Sequence, residues 1–176
     1  MDEHLKNFQS WYVSVLDSLY PIRNAGIATL LISFPLLERY LRQRSALTDR
    51  DAIDARCWPA LVDVFSELRD VDHAARFWKV FRNGLLHQLT PSAATRKGAK
   101  LPHGWLTHEV TEPITVEGDG SFIVHPKLFS QRVVGKILSD FATFAGVGKP
   151  VPQLPTVVAY VTPTYDVYLG TSTRRL

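Results

Sequence analysis

The stretch FWKVFRNGLLHQLTP, residues 77 to 91, gathers Arg82, Asn83 and His87 into a run that is otherwise largely apolar. An arginine is a fork-shaped donor to anionic oxygens, and a histidine changes protonation state near neutral pH. Together they have the makings of anion binding and proton transfer. On an α-helix Asn83 and His87 share one face, and Arg82 lies about 100° round from Asn83, near enough for its long side chain to reach the same rim. Gly84 sits beside them. A glycine inside a helix costs about 1 kcal/mol relative to alanine, so it marks a place where another backbone or a ligand comes close. The pattern predicts a shallow polar notch on a helix otherwise committed to the core.

This segment resembles the signature of HEPN domains, the helical family named for higher-eukaryote and prokaryote nucleotide binding. Their hallmark is an arginine, a polar residue directly after it, and a histidine a short way along the same helix; here four residues separate Arg82 from His87. The resemblance implies metal-independent RNA cleavage by a homodimer, with no cofactor and no metal. Two motif helices would face each other, with Gly84 at the dimer contact, so that both subunits line one cleft. Arg82 would hold the scissile phosphate, His87 would act as acid and base, and Asn83 would orient them. The products of that chemistry are a 2′,3′-cyclic phosphate and a 5′-hydroxyl. Toxin–antitoxin and antiphage systems use such enzymes, which makes an antitoxin protein an expected partner. The alternative implied by the same family is a dimer that binds nucleotide or RNA, or another protein, without turnover.

A plainer account of the three residues is a helix end where Arg82 meets an acid and His87 bonds a carbonyl. Asp17, Glu38, Asp63 and Glu67 all stand on predicted helices as candidate partners. Other potential sites carry less. His103 and His108, five apart and followed by Glu109, match no zinc pattern and read as loop surface. Cys57 is the single cysteine, which excludes an intrachain disulfide or a cysteine-cluster zinc site and suggests a buried thiol. GVGKP, from 146, has neither the first glycine nor the Ser/Thr of a P-loop and reads as a turn.

The elements that would position the motif follow from hydrophobic spacing. Residues 3 to 20 place Leu5, Phe8, Tyr12, Val15, Leu16 and Leu19 on one helical face. From 22 to 45 a broad stripe of Ile27, Leu30, Leu31, Phe34, Leu37 and Leu41 predicts a long central helix, kinked at Pro35. Residues 46 to 57 read as a loop or short surface helix, and 58 to 70 as a helix with Pro59 in its first turn. The motif helix starts with Asp72 as its N-cap and buries Ala74, Phe77, Trp78, Phe81 and Leu85, before Thr90 and Pro91 close it. Residues 92 to 105 read as an exposed basic loop. Residues 106 to 125 read as a β-hairpin turning at Gly118-Asp119-Gly120. A last amphipathic helix follows Pro126 and ends at Gly146.

The fold expected is thus mainly α, a bundle of about five helices with a small β-hairpin near residues 110–125. One domain over residues 1–146 would be followed by an extended tail, 147–176, that carries the β-prone run TVVAYV. The 176 residues, 45% hydrophobic, suffice for one core without staples. The net charge of +3 and pI near 9.1 permit nucleic-acid binding without demanding it. Arg39, Arg42, Arg96 and Lys97 are the candidate RNA-binding cations. The acidic, polar start MDEHLKNFQSWY is unlike a signal peptide, and the most apolar run, Ile27 to Leu37, is shorter than the roughly 20 residues that span a bilayer. These features predict a cytoplasmic protein with no membrane contact.

Overall fold

The computed structural model describes residues 3–48, 51–85 and 103–146. Within them the chain is mainly helical with a small sheet, as its periodicity predicts. α1 (Glu3–Phe8) passes through a π-helical turn (Gln9–Val13) into α2 (Ser14–Leu19). α3 (Gly26–Arg44) is the central helix. It runs unbroken through Pro35, which stands on the exposed side, so the carbonyl that loses its donor is on the face nearest water. α4 (Trp58–Val64) and a 3₁₀ turn (Ser66–Leu68) precede α5 (Val71–Trp78). No helix among the described residues is long and apolar enough to cross a membrane. The tail from residue 147 lies outside the described residues.

The β element is larger than the hairpin read from the sequence. β2 (Ile114–Val116) and β3 (Phe122–Val124) form that hairpin, antiparallel, with Ile114 opposite Val124. Gly120 takes φ of 82° in the turn, a conformation that favours glycine. β1 (Gly104–Leu106), which falls largely in the stretch read as loop, pairs parallel with β3 and makes the order β1-β3-β2. A three-residue strand paired to a distant partner leaves no alternation to detect. α6 (Pro126–Ser139) and α7 (Phe141–Ala145) divide the last predicted helix at Asp140, and Gly146 ends it with φ of 68°.

α3 packs most extensively on α6. Small residues let the two approach: the Ser33 hydroxyl lies 2.7 Å from the Thr29 carbonyl and 2.9 Å from Ser130 Oγ, itself 3.0 Å from the Tyr20 hydroxyl. Beside this polar seam Phe129 of α6 stacks on Phe34 at 4.8 Å and on Phe65 at 4.7 Å between ring centroids. Phe77 of α5 joins the same cluster. Phe129→Ala should therefore cost about 3–5 kcal/mol in urea denaturation, because the site is enclosed by rings that cannot collapse into the gap. A loss below about 1 kcal/mol would show that this cluster is not the core.

Candidate functional site

The motif helix begins earlier than its expected cap. Asp70, in extended backbone, accepts the His73 amide at 2.8 Å and is the N-cap in place of Asp72, which lies inside the first turn. Ala74, Phe77, Trp78, Phe81 and Leu85 are all buried, as their spacing predicts. The helix then changes character. Lys79–Asn83 form a π-helical turn, and Gly84 comes next at φ −63° and ψ −51°. A π turn takes an extra residue into the coil and re-aims the residues after it. Arg82 and Asn83 lie in this turn, so uniform α-helical geometry does not set which face they share with the residues beyond Gly84. His87 lies outside the described residues, as do Arg96 and Lys97.

The turn delivers Arg82 to Glu38 on α3. Arg82 Nε donates to Glu38 Oε2 at 2.9 Å, and Arg82 Nη1 donates to Asn83 Oδ1 at 3.3 Å. The other carboxylate oxygen, Oε1, accepts from Arg42 Nη2 at 2.8 Å and Nε at 3.2 Å. Arg42 also donates to the carbonyls of Thr48 and Asp51, which fastens the segment after α3. Of the four acids that stood as candidates, tertiary packing brings Glu38 to Arg82. Glu38 thus divides its two oxygens between two arginines. The three side chains are 14% exposed at Glu38, 19% at Arg42 and 26% at Arg82, so water screens them only in part. Burial alone would raise the Glu38 carboxyl, but the bonds and charges of Arg42 and Arg82 outweigh it and hold the group below its ordinary value.

The remaining predicted site residues fall elsewhere. Arg39 turns to α7, donating to the carbonyls of Phe144 and Ala145 at 3.0 Å each, with its guanidinium 5.3 Å from the Phe144 ring centroid. It serves the last carbonyls of that helix, which have no partner within it. Both Arg39 and Arg42 thus hold the fold together. Gly84 is buried within its own chain. Cys57 is buried, and no group of three His, Cys, Asp or Glu among the described residues is placed to hold a metal ion. A groove of about 540 Å³ runs along α6 past Arg132, Gly135 and Lys136, and shares no lining residue with the Arg82 cluster. The Arg42 role had a visible signal, the four-residue spacing from Glu38 on one helix. The π turn had none.

The cluster makes a pH-dependent contribution whose sign is fixed. A carboxyl held below its ordinary value of 4.5 stabilises the fold fully above that pH and loses the contribution as pH falls through the folded-state value. Glu38→Gln should cost about 2 kcal/mol near neutral pH, and the gap to wild type should close in acid, where Glu38 is itself neutral. Denaturation midpoints measured across the acid range test this; a gap that stays constant would refute it. Compared with known proteins, the chain matches no family model, no curated protein and no solved structure, so the chemistry of this cluster rests on its own residues and their geometry.

Proposed function

We propose that the chain is an HEPN-like endoribonuclease that acts as a homodimer without a metal ion, of the toxin or antiphage kind and cytoplasmic. Arg82 binds the scissile phosphate, His87 moves the proton of the attacking 2′-hydroxyl and of the leaving 5′-oxygen, and Asn83 orients them. The observation that carries this reading is the Glu38 clasp. One carboxylate shared by two arginines fixes Arg82 through its Nε edge, and a guanidinium fork held in place in this way suits a phosphate diester. Asn83 is exposed and bonded to Arg82, so the first two members of the motif reach the surface as one unit. A positioned arginine stabilises charge that builds in the transition state, and a pre-formed clasp avoids reorganisation at that moment. A dimer would supply the second arginine and histidine of the cleft, and an antitoxin protein would cover it.

A second reading has a specific observation in its favour. Arg82 already bonds a carboxylate, which suits a cleft that holds RNA or nucleotide without turning it over. The two part on products. Mixed RNA incubated in EDTA should be cut by the wild type to 2′,3′-cyclic phosphate ends, with a loss of about 10²-fold or more in His87→Ala and in Arg82→Ala. No cleavage by the wild type, or cleavage untouched by His87→Ala, ends the ribonuclease reading. Salt-sensitive RNA binding without products would establish the second.

A further inference from the structure

The N-cap of α6 is a histidine. His125 is 9% exposed, and its Nδ1 accepts the Leu128 amide at 3.3 Å. A ring nitrogen that accepts carries no proton, whereas an imidazolium has donors at both nitrogens and no acceptor. The cap therefore exists only while His125 is neutral. Its backbone belongs to the same corner: the His125 amide donates to the Pro113 carbonyl at 3.1 Å, next to β2, and its carbonyl accepts the Phe129 amide in the first turn of α6.

The surroundings of the ring oppose a positive charge. The His108 ring, from the segment between β1 and β2, meets it edge-on at 5.1 Å between centroids. The Lys127 charge on α6 also disfavours a proton on the ring. Arg23, from the segment ahead of α3, lines the same small cavity, of about 210 Å³, as His108 and Pro126. Glu109 and Glu112, on the His108 segment, are exposed to solvent. Gly26 opens α3 so close to Pro126 that a Cβ there would lie 3.0 Å from Pro126 Cγ. The N-terminal, positive ends of α3 and α6 thus lie side by side at this corner. Burial, then His108, push the His125 imidazole below its ordinary range.

We propose that the His125–His108 corner is an acid-sensitive latch: a proton from solvent taken up at His125 Nδ1 removes the cap and opens the first turn of α6. Because Pro126 abuts Gly26, the same event frees the start of α3. The latch is independent of the ribonuclease reading, since it uses no motif residue.

Amide exchange in the full-length protein, corrected for intrinsic rate, tests it. From about pH 7.5 to about pH 5 the Leu128 protection factor should fall roughly fivefold, the size of one lost N-cap. His125→Asn, which caps without titrating, should hold its protection over the same range. Unchanged protection in the wild type, or an equal acid loss in His125→Asn, would overturn the latch. Titration of the His125 ring by NMR gives a second check, in which His108→Gln raises the midpoint by removing the neighbouring imidazole; an unmoved midpoint overturns the part assigned to His108.

Discussion

A helix that must be covered over most of its circumference organises this chain. α3 buries Thr29, Leu30, Ser33, Phe34, Leu36, Leu37, Tyr40 and Leu41, a band too wide for any one neighbour to cover. α2, α4, α6 and α7 each contact it. Close approach along α6 depends on Ser33 and Ser130, whose hydroxyls bond each other and so leave no unsatisfied group in the seam. The aromatic cluster around Phe129 then fills the space beyond. Tyr40 marks the far end of the band, where its hydroxyl donates to Asp140 at the junction of α6 and α7. Burial, with the neighbouring Asp140, pushes that phenol up to about 12, so it stays a neutral donor.

The residues that α3 does not bury decide the electrostatics. Glu38, Arg39 and Arg42 emerge at the rim of the band, half sheltered, where charges need partners but are not locked away. Each finds one at a place where backbone groups or other charges are left over. Arg39 reaches the carbonyl end of α7, and Arg42 reaches the carbonyls of Thr48 and Asp51. Glu38 stands between Arg42 and Arg82, and through it the central helix fixes the one turn of the motif helix that departs from α geometry. A π turn is less favourable than the α turn it replaces and persists where packing over-determines it. Here the buried rings of Phe77 and Phe81 hold one side of that turn and the Glu38 bond holds the other.

Much of this was legible in the residues. The stripes of α3 and α5 could be read because burial against a broad core repeats every three or four residues, and Phe77, Trp78, Phe81 and Leu85 obey that repeat across the π turn. The hairpin could be read because Gly120 sits between two β-prone runs. β1 could not: three residues paired in parallel to β3 carry no local signature. Asp70 and Asp72 are both competent caps, and the choice fell to Asp70 because its backbone is extended where the chain leaves the turn at Arg69, which takes φ of 65°. His125 as a cap was hidden for a related reason, since histidine is not among the residues whose type announces that role.

The sequence by itself determined the mainly helical class, the buried face of each long helix, and the gathering of Arg82 and Asn83 beside a glycine. Those are local properties, written in period and residue type, and they hold whatever the neighbours are. Only the tertiary structure decided which acid meets Arg82, that Arg39 and Arg42 turn inward, and that two histidines far apart in the chain share a corner. Such pairings depend on which long side chains two packed helices bring within hydrogen-bond reach. That distance is set by the packing of the core between them, and no spacing along one helix encodes it.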